Sequence, residues 1–135
     1  MKIDHEYLKG LLESFEASDE PYTDISKLEQ AGYDCRTHEF LFHMRLLDDQ
    51  KLIARTDGSY GFGFFETADG GGTWAVLPLR LTASGHDFLE AIRNKEVWST
   101  LKTGFKDASI GTLVDVSKRL LEGFVQKKID GLLGS

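Results

Sequence analysis

Near the start of the chain, apolar residues recur every three to four positions. Ile3, Tyr7, Leu8, Leu11, Leu12 and Phe15 fall on one side of a helical wheel, so the spacing predicts an amphipathic helix over about residues 4–17. Asp4 suits its N-cap, and Ser18-Asp19-Glu20-Pro21 ends it. Ile25, Leu28 and Ala31 then lie three apart and Gly32 follows, which predicts a two-turn helix stopped at Gly32, with a strand as the alternative. After the turn Gly32-Tyr33-Asp34-Cys35, the stripe Phe40, Met44 and Leu47, flanked by Leu41, predicts a longer helix over about residues 36–50.

The pattern changes at Lys51. Leu52 and Ile53 lead through Arg55 to Asp57-Gly58, a turn dipeptide. Tyr60, Phe62 and Phe64 alternate with Gly61, Gly63 and Phe65, the period of a strand with an aromatic face. Asp69-Gly70-Gly71-Gly72 marks a second turn. Residues 73–81 predict another strand, carrying Trp74, Val76 and Leu79, and Pro78 makes it an edge or bulged one. Thr82 caps a helix built on Phe88, Leu89 and Ile92. Val97, Trp98 and Leu101 form a short helix, and a last helix spans about residues 109–133.

The predicted fold class follows from this order: α+β, a winged helix-turn-helix-like domain with a β-hairpin wing and C-terminal trailing helices. Residues 1–94 form the winged-helix-like part. Residues 95–135 are a helical extension that packs on it or makes an oligomer interface. The wide apolar stripe of the last helix, with Leu113, Leu120 and Phe124, fits pairing of two copies or wrapping of the domain's own core equally well.

At 135 residues the chain is one domain's worth, long enough for a real core. Its one cysteine, Cys35, excludes an intramolecular disulfide and a cysteine-rich zinc site. The polar start and the lack of a long apolar run predict a cytoplasmic protein with no membrane partner. The net charge of −6 argues against coating nucleic acid by charge alone. That acid is concentrated: residues 1–50 hold twelve of the 22 acidic residues but only five of the 16 basic ones.

Two segments carry a family resemblance. Phe40-Leu41-Phe42-His43-Met44-Arg45-Leu46-Leu47 with Lys51-Leu52-Ile53 resembles a "YHxxLLxxAGLI" segment. Arg80-Leu81-Thr82-Ala83-Ser84-Gly85-His86-Asp87-Phe88-Leu89-Glu90-Ala91-Ile92-Arg93, then Val97-Trp98, resembles "RLTWxGHEFLDAIR…VW". Together they resemble domain-of-unknown-function family 2513, small proteins of bacteria and their prophages. Ala83 stands where that pattern has tryptophan, and Asp49-Gln50-Lys51 where it has acid-Ala-Gly. The resemblance implies a winged-helix-like fold and a mobile-element setting, and it brings no catalytic residues. Physically, Thr82 reads as a helix cap, and Gly85 reads as a place where strand and helix approach closely.

Opposite its apolar stripe, the third helix carries His38, Phe42, Arg45 and Asp49, with Leu46 nearby. A helix that reads DNA needs several donors and cations there. If duplex DNA binds, the contributors are Arg36, His38, Arg45, Lys51, Arg55 and Arg80. If a host or phage protein binds instead, Phe42, Leu46, Tyr60, Phe62 and Phe65 form the contact. The first reading is a DNA-associated transcriptional regulator; the alternative is a protein–protein interaction module on the same scaffold. A homodimer through the last helix is a third candidate partnership, and the Lys118-Arg119 and Lys127-Lys128 pairs of that helix are its solvated face or a cationic surface for DNA.

No enzyme, cofactor or metal is expected. His38 and His43 are five apart and point away from each other on a helix, unlike paired zinc ligands, and His43 fits a buried, hydrogen-bonded histidine. Ser84-Gly85-His86-Asp87 has triad residue types, but adjacent residues cannot adopt triad geometry. Gly70-Gly71-Gly72 lacks the Gly-Lys-Ser/Thr of a phosphate loop and reads as a wing tip.

Overall fold

Helix α1 (His5–Glu16) forms where its stripe predicts it. Asp4 caps it, its carboxylate accepting from the Tyr7 N–H at 3.1 Å, and Leu8, Leu11, Leu12 and Phe15 are buried. Helix α2 (Ile25–Gln30) is capped by Asp24. It ends in paired hydrogen bonds, Tyr33 N–H to Leu28 O and Gly32 N–H to Glu29 O, with Gly32 at φ +103°. This is the Schellman ending that glycine favours, so the helical reading of this stretch holds over the strand.

Helix α3 (His38–Asp49) begins two residues later than its spacing suggests. Thr37 caps it, and Arg36 lies in the preceding loop. Phe40, His43, Met44 and Leu47 face the core. Its C-terminus repeats the α2 ending: Leu52 N–H donates to Leu47 O and Lys51 N–H to Asp48 O. Here Lys51, at φ +56°, holds the left-handed position.

The structure is a computed structural model that describes residues 1–134. It is α+β, with six helices and two two-stranded antiparallel ladders. Strand β1 (Ile53–Arg55) pairs with β4 (Leu79–Leu81), Ile53 opposite Leu81 and Arg55 opposite Leu79. Thr23, between α1 and α2, adds a bridge on the other edge of β4 through reciprocal hydrogen bonds to Leu79 of 2.7 and 2.8 Å. Between β1 and β4 the chain makes an excursion, closed by the small hairpin β2 (Phe64–Glu66) and β3 (Gly72–Trp74).

The two long predicted strands are not continuous. Residues 60–63 keep aromatic–glycine alternation but not strand geometry, because Gly61 and Gly63 sit at φ +88° and +99°. These conformations break a ladder, and the side-chain alternation arises in a loop. Residues 73–81 likewise split into β3 and β4, and the proline-containing stretch between them leaves Val76 exposed. Trp74 collects Phe40, Phe62 and Phe64 around it, with ring centroids at 5.3, 5.7 and 5.1 Å. That cluster anchors the hairpin on α3 and replaces the missing ladder.

Helix α4 (Ala83–Arg93) starts in a knot of contacts that gives a physical reason for the Arg80–Arg93 segment. Thr82 Oγ1 accepts from Gly85 N–H at 3.0 Å and donates to Lys51 O at 2.7 Å, while Thr82 N–H donates to Leu52 O. A Cβ on the buried Gly85 would collide with the Leu52 carbonyl oxygen. The close approach of strand and helix expected at Gly85 is therefore present. Helices α5 (Lys95–Gly104) and α6 (Ile110–Leu133) follow, α6 lying on α4 and α5. Its burial is one-sided and ends early: Ile110, Leu113 and Ser117 are buried, Leu120 and Phe124 half-buried, and Val125, Ile129, Leu132 and Leu133 exposed. No helix among the described residues is long and apolar enough to cross a membrane.

Candidate functional site

Of the residues singled out by sequence, His38, Phe42, Arg45 and Leu46 lie on α3 and Phe65 on the hairpin beside it, and the rest lie on other segments. Their charges largely cancel. Arg45, on α3, reaches the Glu66 carboxylate on β2 and lies over the Phe64 ring at 5.6 Å. Arg36 makes a forked pair with Asp34, Nε at 3.0 Å and Nη2 at 2.8 Å, and this guanidinium pulls the Asp34 carboxyl down to about 2. Arg55, at the end of β1, pairs with Asp57 in the same forked way, at 3.1 and 2.6 Å. His38 is exposed at the first position of α3. Lys51 is exposed at the left-handed residue after α3, and Arg80 on β4, opposite Ala54. The structure thus groups His38 with Arg45 on α3, and spreads Arg36, Lys51, Arg55 and Arg80 over the loop before it, the turn after it and the β1–β4 ladder.

Sequence reasoning missed all three carboxylate partners, Asp34, Glu66 and Asp57. Glu66 is the one it had no local signal for. It lies 21 positions from Arg45, and only the folding of the hairpin onto α3 brings the two together. Asp34 and Asp57, by contrast, sit two residues from their arginines, a spacing visible in the sequence.

The aromatic candidates divide. Phe62 is 8% exposed and packs against Trp74, so it belongs to the core and not to an interaction surface. The turn glycines on either side of it aim its ring inward. Tyr60 is fully exposed and Phe65 half-exposed. Phe42 and Leu46 are half-buried on α3 and line a hollow of about 280 Å³, bounded on its other side by Ile3, the α5–α6 loop residue Ala108 and Ile110 at the start of α6.

His43 lies on the inner side of α3, 1% exposed. Its Nδ1–H donates to Glu39 O at 2.8 Å and its Nε2 accepts from the Asp4 N–H at 3.1 Å. The ring also packs against Tyr7, with centroids 4.6 Å apart. Burial holds its pKa below the ordinary imidazole value. It is a neutral clamp between α3 and the start of α1, with neither nitrogen free for a metal. Burial also pushes the neighbouring Tyr7 hydroxyl up to about 12.

A family model described as "Hypothetical protein (DUF2513)" matches residues 2–111. An uncharacterized protein of Haemophilus influenzae is 25% identical over 129 residues, which cover 96% of this chain and 99% of that protein. No solved structure matches. The matched span runs from the N-terminus through α1–α5 to the first turn of α6, including both segments whose packing is described above, and the chain belongs to the DUF2513 family of hypothetical proteins.

Proposed function

We propose that this chain is a protein-binding module on a winged-helix scaffold, with the outer face of α3 and the adjoining hairpin as its contact surface and a host or phage protein as its partner. The scaffold reading rests on the order α1, Thr23 bridge, α2, α3, β1, excursion, β4, with β4 central in a three-membered ladder. One observation carries the functional reading: Arg36, Arg45 and Arg55 each have a carboxylate at hydrogen-bonding distance.

Such exposed pairs are weak, on the order of 0–1 kcal/mol, so phosphate contact does not fail because the arginines are locked. It fails because a phosphate approaching any of them also meets the acid, and the local charge it meets is close to zero. Glu39, Asp48 and Asp49 add negative charge to the same helix. What the surface does offer is apolar: Phe42 and Leu46 beside their hollow, Phe65, and the fully exposed Tyr60 ring.

Two measurements test this. Fluorescence anisotropy with a mixed-sequence duplex at low salt should show no binding at tens of micromolar protein. Affinity capture with the wild type and with the double variant Leu46→Glu/Tyr60→Ser, its fold checked by circular dichroism, should give a protein retained by the first and lost by the second. Duplex binding that weakens steeply with salt, or the lack of any protein distinguishing the two baits, overturns the reading.

A further inference from the structure

The sequence left the last helix balanced between wrapping its own domain and pairing two copies. The structure divides these roles along its length. Helix α6 has 24 residues, about 36 Å of helix, but its buried side chains end at Ser117. Beyond that point Leu120 and Phe124 continue the same face half-buried, and a second apolar face opens beside it. Val114, Leu121, Val125 and Leu132 fall within about 40° of one another at 100° per residue, a second stripe beside the buried one. On this stripe Val125 is 48% and Leu132 75% exposed, and Ile129, flanking it, 41%. The proximal part of the stripe lines a groove of about 350 Å³ between α4 and α6, floored by Phe88 and Ala91. Each copy of the chain therefore carries both a groove and a projecting apolar helix end.

We propose that the occupant of the groove is the distal half of α6 from a second copy, and that the reverse contact forms at the same time about a two-fold axis. Charge selects this occupant. Three acids, Asp87, Glu90 and Glu122, rim the groove against one cation, Lys118. Beyond the groove-lining Glu122, the projecting end carries Lys127 and Lys128 and one acid, Asp130. An antiparallel register with Val125 on the axis sets Leu121 against the partner's Ile129 and Glu122 against the partner's Lys128. Every contact in such an isologous interface occurs twice. The pairing buries residues that an isolated chain leaves in water, and the groove shares no lining residue with the hollow on α3, so the α3 partner can be wrong without affecting it.

The test is mass in solution, by sedimentation equilibrium or light scattering across 1–200 µM protein. The wild type should show twice the chain mass of 15.1 kDa at the upper end. The double variant Val125→Asp/Leu132→Asp, whose sites are exposed in the single chain, should keep its helical circular dichroism and return to 15.1 kDa. Lys128→Glu should weaken the dimer at least severalfold, and adding Glu122→Lys should restore much of that loss. A wild type that stays monomeric at 200 µM, or a dimer indifferent to the double variant, overturns the proposal; a Lys128→Glu defect that Glu122→Lys does not rescue overturns the register.

Discussion

Stability should depend on pH in a window set by His43. In the folded chain this imidazole is fully enclosed, its Nδ1–H given to Glu39 O and its Nε2 taken up by the Asp4 N–H. A proton on Nε2 would face another donor with no solvent to compensate, and burial accordingly holds the folded pKa below the reference value of 6.5. Above about pH 6.5 neither the folded nor the unfolded chain is protonated there, and the full contribution is present. As the pH falls below about 6.5 the unfolded chain takes up a proton that the folded chain does not, so stability declines until the folded pKa is reached. The limiting slope is about 1.4 kcal/mol per pH unit for one such group. His5, whose pKa is also lowered by burial, adds to the same decline. The variant His43→Gln removes one titrating group while supplying an uncharged amide donor and acceptor at that position. Urea unfolding followed by circular dichroism at pH 7.5, 6.5, 6.0 and 5.5 should give a wild-type stability that falls below pH 6.5, and a variant whose slope is shallower by up to about 1.4 kcal/mol per unit. The comparison is of slopes, so a uniform loss of stability in the variant does not obscure it. Equal slopes would refute the neutral-clamp account, as would a folded-state imidazole that titrates by NMR at or above 6.5.

Two further substitutions test the turn after α3 and the knot it makes with α4. Lys51→Gly places glycine at the left-handed residue that ends α3, where the family pattern has one, and should raise the unfolding free energy by about 1 kcal/mol in urea titrations; an unchanged or lower value would contradict the Schellman reading. Gly85→Ala gains helix propensity but drives a methyl into the Leu52 carbonyl and sets it 3.2 Å from the Leu81 side chain, so it should cost roughly 1–3 kcal/mol net, and a neutral result would show that β1 and α4 can separate freely.

The helices were legible one by one because each carries its own start and stop. Asp4 and Thr82 cap the helices that their positions announce, and the apolar spacing of α1, α3 and α4 states which side is buried. The same locality made the acidity of the first 50 residues readable, whereas the Asp34–Arg36 and Asp57–Arg55 pairs emerged only in the structure although their partners lie two residues apart. The excursion between β1 and β4 was not legible in this way. Its period-two aromatics look like a strand, yet backbone angles at Gly61 and Gly63 that no pattern of side chains encodes turn Phe62 into the core and leave Tyr60 in water. Burial there is decided by Trp74 and Phe40, partners far along the chain.

By itself, then, the sequence determined the α+β class, the family, the placement of six helices and the acidity of the N-terminal third, since these depend on local propensity, capping and composition. Tertiary structure decided which outward residues are available: that Glu66 meets Arg45, that His43 closes on the Asp4 backbone, and that full burial along α6 ends at Ser117. Those outcomes depend on the packing of elements distant in the chain, and a hydrophobic or charged position looks the same in sequence whether or not a partner arrives to cover it.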